Sequence, residues 1–290
     1  SYYYEVSKGD LARDNVQRKP AFGHVAPAVM GLTDKTYACK VDQVLVGIDK
    51  ISALDYTRSA APGAADPRRA KVKFVAEQMN LHQDLLFAKN FFKAGVWRNE
   101  WEGASAANAS QKKFLKFDDS NCDPVTLFDV LINEIRRVGR RRPNKLALGV
   151  DVFAKLKANH FIMERVKYTG TTANPAVVTE QVLAQLFGVQ QVVVLDSTYN
   201  AAEAGMDEKM QYICDSKAAL LCYTTDTPQI DEPSAGYIFA WDMLGNGQYI
   251  ATSQFEGAPA DHTEFIEGLI ATDMKKTSDD LAVFLKNCVD

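Results

Sequence analysis

The chain has 290 residues, 47% of them hydrophobic and 24% charged, a balance that excludes a disordered chain and suffices for one large domain or two ordinary ones. A formal net charge of −4 argues against a dedicated nucleic-acid binder, which would carry a basic excess. No apolar run reaches the roughly 18–20 residues of a membrane span.

The opening Ser1–Glu5 (SYYYE) lacks the basic start and apolar stretch of a secretory signal, and initiator removal or trimming of a longer precursor would each explain Ser1. Five cysteines (Cys39, Cys122, Cys214, Cys222, Cys288) are odd in number and form no CxxC pair, which indicates buried reduced thiols rather than a zinc site or a disulfide framework.

Residues 1–22 are polar and mixed in charge, with Lys8-Gly9-Asp10 and Arg18-Lys19-Pro20 breaking any periodicity. They read as an extended arm that is ordered only on a surface supplied from outside. Residues 23–58 change character. Gly23, Pro27, Gly31 and Asp34 punctuate β-formers, and Tyr37, Cys39 and Val41 alternate with Ala38, Lys40 and Asp42. This predicts an antiparallel hairpin with its turn near Gly31–Lys35, too sparse in apolar residues to stand alone. Ser59–Asp66 (SAAPGAAD) then reads as a linker.

Asp66-Pro67 opens the clearest element, a helix over about 67–94. Val72, Val75, Met79, His82 and Leu86 fall on one face, and the rod would be roughly 40 Å long at 1.5 Å per residue. An aromatic knot follows (Phe91, Phe92, Trp97, Trp101), then a small-residue loop over Gly103–Ser110 and a short strand at Lys113–Phe117. Asp123-Pro124 repeats the helix start. Phe128, Leu131, Ile132, Ile135 and Val138 make that helix amphipathic up to Gly139. Arg136, Arg137, Arg140, Arg141 and Arg142 cluster at its end, where they complement the helix dipole or meet an acidic neighbour or a phosphate.

From Lys145 the pattern becomes strand and helix in alternation. A strand at Lys145–Gly149 precedes helices over about Asp151–Asn159 and Thr179–Phe187, and a β-branched strand spans Gln191–Leu195. The loop Thr169–Pro175 reads as an exposed tip, and Met210–Ile213 and Ala218–Tyr223 as further strands of the same layer. After Pro228 and Pro233, strand-like runs at Gly236–Trp241, Gln248–Ser253 and Thr263–Met274 predict a small sheet that packs with the long helix, ending in an apolar tail at Leu281–Leu285.

Known catalytic signatures are missing: there is no GxxxxGK[ST], GxSxG or HExxH, and no GxGxxG opens a helix. The four histidines (His24, His82, His160, His262) are scattered, and Leu148-Gly149-Val150-Asp151 offers no strand-end nucleophile of the kind an α/β-hydrolase requires.

Several stretches, in order, resemble the major capsid protein of tailed bacteriophages with the HK97 fold. They are Val6–Asp10 with Ala12–Val16, Ala88–Trp97 (AKNFFKAGVW), Arg142-Pro143-Asn144 with Leu146–Gly149, and Glu164–Tyr168 (ERVKY). Ala184–Val189 (AQLFGV), Pro233–Tyr237 (PSAGY) with Trp241, and Asp273-Met274 with Ser278–Leu281 complete the set.

The resemblance implies an α+β, HK97-like capsid fold. Its parts would be an N-terminal arm (1–22), an extended hairpin or E-loop (23–58), a peripheral domain (59–123 and 234–290) built on the long spine helix, and an inserted axial α/β domain (124–233). It implies assembly into hexamers and pentamers of an icosahedral head that encloses double-stranded DNA without sequence-specific binding. It implies no catalysis, cofactor, metal or membrane.

Expected partners are other copies of the chain, a portal, a decoration protein, and a separate scaffold protein or a scaffolding segment cleaved before Ser1. The expected location is the virion, after assembly in the host cytoplasm. Candidate inter-subunit contacts are Arg13 and Arg18 in the arm, Lys35 and Lys40 in the hairpin (also candidates for covalent crosslinking to a neighbour's asparagine), and Arg140, Arg141 and Arg142. An encapsulin-type nanocompartment shell is the alternative with the same fold.

Overall fold

The computed structural model describes residues 1–6, 13, 14, 16, 31–50, 67–167, 177–203, 205–227, 229, 232–242, 250–257 and 260–290. Arg18, the 59–66 linker and the 169–175 loop lie outside these residues. The chain divides into two compact units, one of residues 1–36, 88–237 and 276–290, the other of residues 37–87 and 238–275.

The first unit is built on a six-stranded mixed sheet. Its strands are β4 (Glu100–Ala104), β5 (Lys113–Leu115), β6 (Lys145–Gly149), β7 (Gln191–Leu195), β10 (Ala219–Cys222) and β14 (Ala282–Lys286). They lie in the order β5-β4-β14-β10-β6-β7. β10 runs antiparallel to both of its neighbours, whereas β6–β7, β14–β4 and β4–β5 are parallel pairs. Ala219, Leu220 and Leu221 are all buried, as a central strand covered on both faces requires.

Helix α2 (Pro124–Gly139) starts where Asp123 accepts a hydrogen bond from the Val125 N–H, with proline in the first turn as that position favours. It buries Phe128, Leu131, Ile132 and Ile135. Phe128 stands in a column of aromatic rings from Phe114 through Phe117 to Phe187, with neighbouring centroids 4.4–6.0 Å apart. Helices α3 (Val150–Ala158), α4 (His160–Lys167) and α5 (Glu180–Phe187) complete the layer. α5 starts on a Thr179 cap and stops at Gly188, whose φ of 65° is left-handed and suits glycine.

The second unit contains most of α1 (Pro67–Asn90) and a sheet centred on the 17-residue β13 (Ala260–Lys276). β3 (Lys40–Asp49) pairs antiparallel with β13 from Asp49↔Thr263 to Lys40↔Thr272. β12 (Ala251–Gly257) and β11 (Gly236–Ala240) also pair with β13. One face of this sheet is apolar and covered. Val44, Val46, Ile48 and Ile266 pack with Val75, which lies on the face of α1 that the helical period predicts. On the other face of β3, Val41, Gln43, Leu45 and Gly47 are exposed.

Four expectations need correction. The turn expected near Gly31–Lys35 is strand: β2 (Leu32–Thr36) pairs antiparallel with β1 (Tyr2–Val6), so the first residues of the expected arm form half of a ribbon, and β3 pairs with β13 instead. Three adjacent tyrosines are strong β-formers, and their partner lies some thirty residues on, where no local turn signal reports it. Second, the strand at Met210–Tyr212 (β9) is not in the central layer. It pairs with β8 (Thr198–Asn200) in a separate, solvated ribbon.

Third, the tail Ala282–Lys286 belongs to the six-stranded sheet of the first unit and not to the small sheet. With β4 and β5 it carries that sheet across the boundary expected between residues 123 and 124, because parallel neighbours are joined by distant chain. Fourth, α1 ends at Asn90, four residues early, in a turn before Gly95 with φ of 88°.

Candidate assembly surfaces

The arginine cluster after α2 is split by its geometry. Arg141 turns onto Glu232, its Nε donating to Oε1 at 3.1 Å and one terminal nitrogen to Oε2 at 3.1 Å. The Tyr223 hydroxyl donates to the same carboxylate at 2.8 Å, and the Tyr237 hydroxyl to the Glu232 backbone carbonyl at 3.1 Å. The Tyr223 hydrogen bond, with the guanidinium, holds the Glu232 carboxyl below the usual range, while Tyr223 is pushed up by burial and by that bond. Arg141 is therefore an internal clamp between the start of β6 and the segment before β11.

Arg140 caps α2 in a left-handed conformation, its N–H bonding the Arg136 carbonyl at 3.0 Å, and its side chain is exposed. Arg142 is also exposed, with its guanidinium lying over Gly188. Arg136 and Arg137 point outward from the last turn. Four of the five cations are exposed, and the half-buried Arg141 is tied to Glu232, a division with no signal in the sequence because Glu232 lies 91 residues away.

At the other candidate positions, Lys35 lies on β2 opposite Tyr3 and reaches Glu5 at 3.3 Å. Lys40 opens β3 opposite Thr272 and is exposed. Arg13 is exposed. The sequence reasoning missed a further surface, the open face of the small sheet, where Phe255 stacks on Phe265 with centroids 5.5 Å apart and Val41 and Leu45 stand uncovered. The alternation of β3 contains that signal, but only pairing with β13 reveals how far the face extends.

Ser216, beyond the end of β6, donates to Asp151 at 2.5 Å, while His82 sits 3.2 Å from Asp42 and His160 3.3 Å from Glu164. Among the described residues no group of three metal-ligating side chains is present, and no helix is long and apolar enough to cross a membrane.

No protein-family model matches the sequence. The chain is 26% identical over 159 residues to the major capsid protein of Burkholderia phage BcepMu, a match over 55% of this chain and 48% of that protein, so it spans about half the length of that relative. Among solved structures, a phage-related protein from Bordetella bronchiseptica RB50 superposes with a TM-score of 0.69 at 17% identity, covering 99% of this chain and 88% of the other. The capsid of cyanophage P-SCSP1u superposes with a TM-score of 0.53 at 11% identity, covering 99% and 82%. The chain therefore has the α+β fold of HK97-type capsid proteins and resembles phage major capsid proteins in sequence as well as in architecture.

Proposed function

We propose that the chain is a major capsid protein whose copies form the hexamers and pentamers of an icosahedral phage head around double-stranded DNA. The observation that carries this reading is the β1–β2 ribbon. It is a two-stranded sheet that pairs with no third strand among the described residues, and such a ribbon is marginal in water by itself. The exposed Val41, Leu45 and Phe255 on the open face of the small sheet gain from the same cover. In a shell of overlapping subunits both find partners, and stability belongs partly to the assembly. The likeness in fold to the cyanophage P-SCSP1u capsid over 99% of the chain supports the same reading.

In this reading α1 is the spine of a peripheral domain, the layer around β6, β7 and β10 is the axial domain, and β1–β2 belongs to an extended loop that reaches a neighbour. Arg13, Arg18, Lys35, Lys40, Arg140 and Arg142 meet other copies, whereas Arg141 is held at home by Glu232. Scaffold, portal and decoration proteins are the further partners, host cytoplasm the place of assembly, and no step requires catalysis.

Electron microscopy of the full chain, expressed alone and with its native neighbours, tests this reading, together with nuclease protection of the contents. Closed shells that protect duplex DNA support it. Shells filled with protein cargo would move it to the nanocompartment alternative, and a stable monomer under all conditions would overturn it.

A further inference from the structure

Two hollows adjoin on the first unit, of about 340 and 450 Å³, and share Trp101, Ala109 and Val130. Phe114, Leu115 and Leu127 make the first strongly apolar, and Val130 on α2 is 51% exposed although it is a large aliphatic side chain. Trp101 is 7% exposed, and its indole N–H is buried with no acceptor.

The rim is cationic. Lys112, Lys113 and Arg137 line it against two acids, of which Asp123 is paired with Arg165 and Glu134 accepts from the neutral Asn99 amide, so the balance is positive.

The same unit carries the complement. The β8–β9 ribbon (Thr198–Asn200 with Met210–Tyr212) joins no other strand among the described residues. It exposes Met206 at 71%, Met210 at 59% and Tyr212 at 44%. Its connection carries Glu203, Asp207 and Glu208 against Lys209 alone. The ribbon exposes apolar side chains beside an acidic tip, and the groove is apolar with a basic rim.

We infer that the β8–β9 ribbon of one copy docks in the Trp101–Val130 groove of the next. Methionine side chains adapt readily to an irregular apolar hollow, and the opposed charges fix the direction of approach. Tongue and groove are different surfaces of one chain, so the contact is heterologous and closes into a ring when the rotation permits. The inference rests on the shell reading and names the contact that would hold a capsomer together.

The test uses the full chain and two exposed positions, Val130→Asp in the groove and Met210→Asp on the ribbon, each checked by circular dichroism for an unchanged fold. Sedimentation velocity is expected to show ring-sized species for wild type and at least about a tenfold rise in the concentration needed to form them for either variant, as for a central contact residue. Mixing the two variants is expected to give heterodimers and nothing larger, because one intact ribbon meets one intact groove and both outer ends are blocked.

Charge reversal adds a second readout. Arg137→Glu and Glu208→Lys are each expected to weaken association, and together to restore it. If wild type assembles and both Asp variants assemble equally well, the inference fails while the shell reading stands. If Val130→Asp alone acts, the groove holds something other than the ribbon and the inference fails. A wild-type chain that never associates overturns the shell reading and this contact with it.

Discussion

Arg165 on α4 grips Asp123, the residue that caps α2, with one terminal nitrogen on each carboxylate oxygen at 3.0 and 2.9 Å. The same carboxylate accepts the Val125 N–H at 3.1 Å and the Thr126 hydroxyl at 2.7 Å. One side chain thus starts a helix and ties it to a second. Asp123→Ala removes both roles and is expected to cost about 1–2 kcal/mol, most of it the cap, since an ion pair this exposed is screened by solvent. Asp123→Asn keeps an acceptor for the cap and is expected to cost less than half as much. Urea unfolding followed by circular dichroism gives both values, and equal losses would mean that the cap contributes nothing.

Acid should weaken the fold through the same kind of pair. Glu232 is held below its ordinary value of 4.5 by the Tyr223 hydroxyl and Arg141. At Asp123 burial works upward, but Arg165, Thr126 and the Val125 N–H overcome it and leave the carboxyl below its ordinary 3.8. Both groups bind protons more weakly folded than unfolded. Their contribution is complete above the ordinary carboxylate pKa and is lost as pH falls through the lower folded value. Unfolding midpoints are expected to hold steady from pH 7 to 5 and to drop below about pH 4.5. Glu232→Gln should lower stability at pH 7 by about 0.5–1 kcal/mol and flatten the acid limb. An unchanged limb would assign the acid loss to other carboxylates.

Much of the first unit was legible because its signals are local. Asp123-Pro124, the 3-and-4 spacing to Ile135, Thr179 with Gly188, and the β-branched Val192–Val194 each specify an element within one or two turns of chain. What escaped is pairing at a distance. Nothing near Tyr2–Val6 announces Leu32–Thr36, and nothing near Ala282–Lys286 announces a parallel neighbour at Glu100–Glu102. The surfaces follow the same rule. The arginine cluster is visible as composition, but Arg141's inward turn depends on Glu232, and the groove depends on Trp101, Phe114 and Val130 converging from three elements.

The aromatic column is expected to dominate the stability of the first unit. Phe128 is fully buried, with its ring centroid 4.4 Å from that of Phe187 and 6.0 Å from that of Phe117. Phe128→Ala leaves a cavity between rings that cannot close together, at a cost of about 3–5 kcal/mol. Phe128→Leu, which refills part of the volume, is expected to cost less than half of that. Comparable losses for the two in thermal unfolding would show that ring stacking, not volume, is what the column needs.

The thiols should report folding by their silence. Burial pushes Cys122 and Cys222 up to about 12, and Cys288 well above its ordinary value. Little thiolate exists there at pH 8, and Cys122 and Cys288 are buried from reagent as well. Cys39 is raised more modestly and is only half-buried. Mass spectrometry after iodoacetamide is expected to find Cys39 modified first. Cys122 and Cys288 should react only across the denaturant transition, and early modification of Cys288 would place β14 outside the stable core.

In the second unit, the approach of α1 to the sheet depends on a residue that is barely there. A Cβ at Gly268 would stand 2.5 Å from a Val75 methyl and 3.4 Å from Met79 Cε and Val44 Cγ1. Val75 is fully buried, so it has nowhere to retreat without moving the helix. Gly268→Ala is expected to cost about 1–3 kcal/mol by overpacking. Val75→Ala alone should cost about 2 kcal/mol through lost burial. Combined, the new methyl occupies the space that the valine leaves, so the double variant is expected to fall short of the sum by at least about 1 kcal/mol. Urea unfolding of the four chains gives the cycle. Strict additivity would mean that Gly268 and Val75 do not meet in solution and that α1 is held to β13 by other contacts.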